Sequence, residues 1–153
     1  MTARLDYATL APEGFKRMLR LSAYPEGRLE HALLELVKLR ASQLNGCAFC
    51  LDMHWTDARK AGETELRLAL LPAWRDAPCY TPRERAALAW TEALTRMEGG
   101  EVPDELYAQA AAQFSEQELV DLTYAVTIIN GWNRLNVAFR TPPRPAEAAE
   151  AAR

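Results

Sequence analysis

Three side chains that can carry redox or acid–base chemistry lie close together in the middle of the chain. Cys47 and Cys50 form a CxxC pair, and His54 follows four residues after the second cysteine. If Cys47 occupies the first turn of a helix, all three side chains share one face of it. A helix N-terminus favours a thiolate over a thiol, and a nearby imidazole can accept the thiol proton. The spacing therefore supplies a nucleophile, a second thiol able to close a disulfide with it, and a base.

A fourth titratable residue, Glu35, lies upstream of this cluster. It falls on the narrow polar side of an apolar helix that we predict from about Arg28 to Leu44. Two interpretations are open at this stage. Glutamate is rarely buried without a partner, so Glu35 is either a solvated helix residue or a member of the pocket around the CxxC pair.

Two other interpretations of the cluster are considered beside redox catalysis. Cys47, Cys50 and His54 are also zinc ligands, and Glu35 would be the fourth. Three ligands on one helix are poorly placed to surround a zinc ion tetrahedrally, and the sequence has no second CxxC pair. We therefore expect no metal. The other alternative is a helical assembly module in which the CxxC pair has no chemical role.

Composition excludes several classes of protein. The chain has 153 residues, 49% of them hydrophobic, and a formal net charge of −3. An acidic chain lacks the basic surface of a nucleic-acid binder, and no apolar run is long enough to cross a bilayer. The three cysteines are an odd number, which argues against a structural disulfide framework. The first residues lack the apolar stretch of a secretory signal, so we expect a cytoplasmic protein with no nucleic-acid or membrane partner.

The elements that must position the cluster are all helical. Apolar spacing, prolines and two capping boxes predict an all-α, single-domain bundle of about seven helices. We place this domain at residues 5–143 and expect a disordered tail at 144–153. Since the second helix is apolar almost all round, we also expect subunit contacts and a homo-oligomer. The seven segments are Pro12 to Tyr24, Arg28 to Leu44, Cys47 to Ala61, Glu63 to Trp74, Pro82 to Glu98, a helix starting at Pro103, and a long helix that follows Ser115 and ends near Phe139.

The segment from Ser42 to His54 also carries a family resemblance. It resembles the SxxNxCxxCxxxH signature of the carboxymuconolactone decarboxylase-like superfamily, on its AhpD-like alkylhydroperoxidase branch. Glu35 matches the glutamate that precedes this signature. Two further runs, Thr81 to Leu88 and Ile128 to Leu135, resemble later helices of the family. The similarity extends from about Leu5 to Pro143.

The resemblance implies a fold, an activity and a role for each site residue. It implies an all-α trimer or hexamer that acts as a thiol-dependent peroxidase on hydrogen peroxide or organic hydroperoxides. Cys50 would be the peroxidatic thiol, Cys47 the resolving thiol and His54 the base beside Cys50. Glu35 would end a water-assisted proton relay through Cys47 and His54. The sequence departs from the best-known members at Phe49, where they carry a second histidine. The decarboxylase branch lacks the CxxC pair, so lactone decarboxylation is not implied.

The source of electrons is the remaining question for such an enzyme. The sequence has no GxGxxG motif after a strand, so we expect neither a flavin nor a nicotinamide cofactor. Electrons would then come from a protein or small-molecule thiol. A thiol–disulfide oxidoreductase is therefore an alternative to a peroxidase.

Overall fold

The computed structural model describes residues 2–144, which form eight α-helices. The all-α class predicted from the sequence is confirmed. Outside the helices the described residues contain an isolated bridge between Glu26 and Leu29, and short 3₁₀ turns follow α5 and α6. The helices are α1 (Tyr7–Leu10), α2 (Pro12–Ser22), α3 (His31–Asn45), α4 (Ala48–Lys60), α5 (Glu65–Leu70), α6 (Pro82–Arg96), α7 (Asp104–Ala111) and α8 (Glu116–Phe139).

Helix α3 is the central element of the fold. It packs against α4, α6 and α8, so its apolar circumference is covered within one chain. Leu34, Leu36 and Val37 are completely buried, and each such side chain contributes about 1.5–3 kcal/mol relative to an exposed one. The apolar character of this helix therefore does not by itself call for a second subunit.

Both capping boxes predicted from the sequence are present. The hydroxyl of Thr81 accepts from the backbone N–H of Glu84, whose carboxylate accepts from the N–H of Thr81. Ser115 and Glu118 form the same reciprocal pair at the start of α8. These caps satisfy N–H groups that a helix start leaves unpaired, and so they fix where α6 and α8 begin.

Two elements differ from the prediction. Helix α1 is not evident in the sequence because four residues are too few to show a period; it is capped by Asp6, whose carboxylate accepts from the N–H groups of Ala8 and Thr9. Helix α5 ends at Leu70, shorter than predicted, and a 3₁₀ turn continues through Pro72. Proline has no N–H to extend an α-helical ladder, which explains the early end.

Ionic contacts connect distant parts of the chain. Arg40 donates to Glu92 at 2.7 Å, and both side chains are buried. Arg144 donates to both carboxylate oxygens of Asp52, at 2.9 and 3.0 Å, and so holds the chain after α8 against α4. The rest of the predicted tail, 145–153, lies outside the described residues. Of the helices in residues 2–144, none combines the length and apolarity that crossing a bilayer requires.

Candidate active site

The turn between α3 and α4 sets the position of the two thiols. Gly46 has φ +66°, a conformation that favours glycine, and its N–H bonds back to the carbonyl groups of Gln43 and Ser42. The N–H of Cys47 also bonds to the Ser42 carbonyl, at 3.0 Å. Helix α4 then begins at once, with Cys47 as its N-cap residue rather than within its first turn.

The two cysteines are free and buried, and they contact each other. The sulfur of Cys47 accepts from the backbone N–H of Cys50 at 3.3 Å. A hydrogen bond from the Cys50 thiol, helped by that N–H, lowers the pKa of Cys47 to about 7. Because Cys50 gives this bond and is itself buried, its own pKa is raised. The N-cap position of Cys47 and the N–H that its sulfur accepts therefore favour the thiolate at Cys47 over Cys50.

A chain of charged groups lies beside the thiols. Nδ1 of His54 is 2.9 Å from one carboxylate oxygen of Glu35, and Nζ of Lys38 donates to the other oxygen at 2.9 Å. Lys38 also donates to Glu26 at 2.7 Å. Glu35 and His54 are both buried. Glu35 is therefore a buried, paired carboxylate and not a solvated helix residue.

The charge state of Glu35 follows from these contacts. Burial opposes ionisation, but the hydrogen bond with His54 and the charges of His54 and Lys38 outweigh it, so the pKa of Glu35 is lowered. Burial alone would lower the pKa of Lys38, but the contacts with Glu35 and Glu26 outweigh burial, so the pKa of Lys38 is raised. Glu35 therefore remains a carboxylate at neutral pH. It fixes the His54 ring through Nδ1 and leaves Nε2 as the nitrogen available for proton transfer.

An apolar cavity of about 350 Å³ opens at Cys50. Its wall includes His54 and Lys38, but most of it is apolar or aromatic. Cys47 is not among the residues that line it. The apolar and aromatic lining residues are Tyr7, Phe15, Leu19, Pro25, Phe49, Met53, Ala125, Ile128, Ile129 and Trp132.

Comparison with known proteins identifies the family. The model of the carboxymuconolactone decarboxylase family matches residues 10–93, a range that includes Glu35, both motif cysteines and His54. The chain belongs to the carboxymuconolactone decarboxylase family. Within it, the resemblance to the AhpD-like alkylhydroperoxidase branch is confirmed.

Relatives of this family member cover nearly its whole length. The uncharacterized protein YdfG of Bacillus subtilis (strain 168) is 44% identical over 139 residues, which are 90% of this chain and 95% of YdfG. ATU0492 of Agrobacterium tumefaciens, a protein of unknown function described as a candidate antioxidant defence protein AhpD, shares the fold with a TM-score of 0.90. That pair is 41% identical over 94% of this chain and 99% of the other.

The fold also occurs in a protein with a different activity. The crystal structure of the debrominase Bmp8, in its apo form, aligns with this family member at a TM-score of 0.69 and 19% identity. The alignment covers 92% of this chain and 73% of Bmp8. At that identity the likeness concerns the fold alone.

The structure brings the predicted site residues of this family member together in two pairs. Glu35 contacts His54, and Cys47 contacts Cys50. Within residues 2–144, no hydrogen bond joins His54 to either thiol. The clusters of potential metal ligands found in that range are Glu26–His31–Glu35 and Glu35–His54–Asp57, and neither includes a thiol. A zinc ion on the cysteines would require these side chains to rearrange.

Some residues of the site were missed from the sequence. Lys38 could have been predicted from the sequence, since it lies one turn after Glu35 on the same polar side of α3. Asn136 carried a weaker signal, because asparagines at 130, 133 and 136 are unusual on an apolar helix. Tyr7 carried none, since it lies on the unpredicted α1. Asn130 and Asn133 bind Asn45 and so connect α8 to the CxxC turn, at 2.9 and 2.8 Å.

Proposed function

We propose that this family member is a thiol-dependent peroxidase that reduces hydroperoxides through Cys50 and Cys47. The observation that carries the proposal is the position of Cys50. Cys50 is one of the residues that line the apolar cavity, while Cys47, its hydrogen-bonded partner, is not. A substrate in the cavity would therefore meet Cys50 first.

The thiolate on Cys47 supports attack by its neighbour. As Cys50 approaches a peroxide, its proton passes to the Cys47 sulfur, which is the stronger candidate to hold a negative charge at rest. The Cys50 sulfur then attacks the nearer peroxide oxygen and the O–O bond breaks. Cys50 becomes a sulfenic acid, and the departing alkoxide takes up the proton that the thiol pair earlier released to His54, and leaves as an alcohol.

Resolution completes the oxidative half of the cycle. The Cys47 thiol loses its proton again, and its sulfur attacks the Cys50 sulfenic acid. The S–O bond breaks, the departing hydroxide takes up the proton that Cys47 released and leaves as water, and a disulfide joins the two cysteines. Two thiols of a protein or small-molecule donor then reduce this disulfide. The first forms a mixed disulfide with one cysteine, and the second displaces that cysteine, so the donor leaves as a disulfide.

His54 and Glu35 serve the proton steps. Nε2 of His54 accepts the proton that leaves the thiol pair, through a water molecule in the cavity. Glu35 stays ionised beside Lys38, so it orients His54 and stabilises the imidazolium without taking the proton itself. This assignment changes the relay implied by the resemblance, in which Glu35 is the final proton acceptor.

The cavity favours one class of oxidant. Its volume of about 350 Å³ suits a molecule much larger than hydrogen peroxide, and its wall is mostly apolar. Phe49 forms part of that wall in place of the histidine of the best-known members. We therefore propose organic hydroperoxides with an apolar body as the preferred substrates.

The test is a steady-state comparison of cumene hydroperoxide and hydrogen peroxide, with dithiothreitol as reductant. We expect turnover of both and a kcat/KM at least about tenfold higher for cumene hydroperoxide, because the cavity buries its ring. Cys50→Ser should abolish turnover. Equal rates in wild type and Cys50→Ser would contradict the proposal.

A further inference from the structure

The side-chain amide of Asn136 contacts the sulfur of Cys50. Asn136 lies near the end of α8, is buried and lines the cavity. Its Nδ2 donates to the Cys50 sulfur at 3.5 Å and to the Trp132 carbonyl at 3.0 Å. Sulfur is a large acceptor, so the longer distance is that of a hydrogen bond to a thiol. Both amide hydrogens therefore have a partner.

Tyr7 fixes the direction in which this amide faces. The Tyr7 hydroxyl donates to Oδ1 of Asn136 at 3.0 Å. Burial and the nearby charges of Cys50 and Cys47 raise the pKa of Tyr7, so the hydroxyl keeps its proton and remains a donor. The Trp132 carbonyl can only accept, so it holds the amide nitrogen on its side, and the Tyr7 hydroxyl donates to the oxygen on the other side. Together these two contacts turn the amide nitrogen towards Cys50.

The N-terminal segment holds Tyr7 in this position. The backbone N–H of Arg4 donates to the Phe139 carbonyl at 2.9 Å, and the Arg4 guanidinium donates to the Ala138 carbonyl at 3.0 Å. The Tyr7 ring packs against Phe15, with ring centroids 6.1 Å apart, and also lies close to Trp132 and Phe139. Residues 4–10 thus close the end of the site at α8.

We propose that Asn136 is a further catalytic residue, which stabilises negative charge on the Cys50 sulfur, and that Tyr7 is the positioning residue that aims its amide. This inference rests on the proposed function. Burial and the Cys47 sulfur oppose ionisation of Cys50, so the attacking sulfur needs a donor on its other side. A hydrogen bond to an ionised acceptor is about twice as strong as one to a neutral acceptor, so the Asn136 contact strengthens as the charge forms.

The test uses alkylation of Cys50 by iodoacetamide as a function of pH. All proteins carry Cys47→Ser, in which serine retains the N-cap, and Cys79→Ser, so that Cys50 is the only thiol. Asn136→Ala should raise the midpoint of the rate profile by about one pH unit, which is a tenfold loss of thiolate. Tyr7→Phe should shift it in the same direction by a smaller amount. Tyr124→Phe, an exposed tyrosine outside the cavity, should leave it unchanged.

Two outcomes would overturn the inference. One is an Asn136→Ala profile that superimposes on its parent while circular dichroism shows an intact fold. If Asn136→Ala does not fold, the test passes to Tyr7→Phe. A Tyr7→Phe profile that superimposes on its parent would then overturn the inference. Alkylation needs no peroxide, so it separates this inference from the proposed function. If the Asn136→Ala profile is shifted but the wild-type protein consumes no hydroperoxide, the peroxidase proposal is wrong. The inference that Asn136 stabilises the Cys50 thiolate would still stand.

Discussion

Nδ1 of His54 and the Glu35 carboxylate lie 2.9 Å apart where α4 meets α3, and both residues are buried. The second oxygen of Glu35 is held by Lys38, which Glu26 anchors in turn. A carboxylate fixed from both sides can orient an imidazole and balance its charge. It is poorly suited to store a proton, because both neighbours favour its ionised form.

Glu35→Gln tests this role. The amide oxygen can still accept from His54, but the negative charge that stabilises an imidazolium is lost. We expect thiol reactivity and turnover at neutral pH to fall by about 10²-fold, at the low end of the range for general-base assistance. The deficit should shrink above pH ~8.5, where a free thiol ionises without help. The measurement is the rate of thiol modification against pH.

The matched control for that experiment is Glu101→Gln, which alters an exposed glutamate that does not line the cavity. It should leave the rates unchanged. Curves for Glu35→Gln that superimpose on those of wild type would remove Glu35 from the mechanism and leave Cys47, Cys50 and His54 as the site.

Ionisation of the reduced thiol pair gives a second prediction. The pKa of Cys47 is lowered to about 7, so its thiolate is present above that pH and is lost as the pH falls through it. Thiolate absorbance in the ultraviolet should show this midpoint in wild type. Cys50→Ala removes the thiol donor and should move the midpoint up towards ~8.5. Cys47→Ser should abolish the transition near 7, and a transition that survives this substitution would place the first thiolate elsewhere.

Phe49 gives a prediction about substrate preference. Phe49→Ala removes an aromatic part of the cavity wall. We expect the kcat/KM for cumene hydroperoxide to fall about tenfold, the equivalent of ~1.4 kcal/mol of lost apolar contact, with little change for hydrogen peroxide. Trp55→Ala is the control, because Trp55 is an exposed aromatic residue of the same helix outside the cavity. An equal loss for both peroxides in Phe49→Ala would indicate that the cavity does not select the substrate.

The fourth prediction is that the protein forms a homo-oligomer. The sequence suggested α3 as the contact surface, but the structure points to a different surface. Helix α3 is covered within the chain, so the remaining apolar surface lies elsewhere. Leu10 of α1 and Leu19 and Leu21 of α2 are 67%, 49% and 40% exposed. We expect these helices to contact other copies of the chain in a trimer or hexamer. Light scattering should give a multiple of the chain mass, and Leu10→Gln with Leu21→Gln should reduce it. A wild-type monomer at micromolar concentration would contradict this.

Much of the fold followed from local patterns in the sequence. Helical periodicity and the caps at Thr81 and Ser115 act within a few residues, so the sequence displays them directly. The CxxC pair and His54 were visible because they lie within one helical segment. The contact between Glu35 and His54 was expected only because the family resemblance implies a proton relay that includes both residues.

The rest of the site depends on contacts between distant segments. Tyr7 and Asn136 are 129 positions apart, and no local pattern links the start of the chain to the end of α8. The resting charge on Cys47 depends on which thiol donates to the other, a detail of three-dimensional geometry. The sequence spacing alone could identify the two cysteines as a reactive pair, but it could not show which of them ionises first.

The central claim is that a hydroperoxide oxidises Cys50 and that Cys47 closes a disulfide on it. The most direct measurement is thiol counting on fully reduced protein before and after one equivalent of cumene hydroperoxide. Wild type should lose two thiols, and mass spectrometry should locate a Cys47–Cys50 disulfide. Cys47→Ser should instead lose one thiol and give a sulfenic acid at Cys50 that dimedone labels, whereas Cys50→Ser should not react. An unchanged thiol count in wild type, or dimedone labelling of Cys47 in Cys50→Ser at the wild-type rate, would contradict the account.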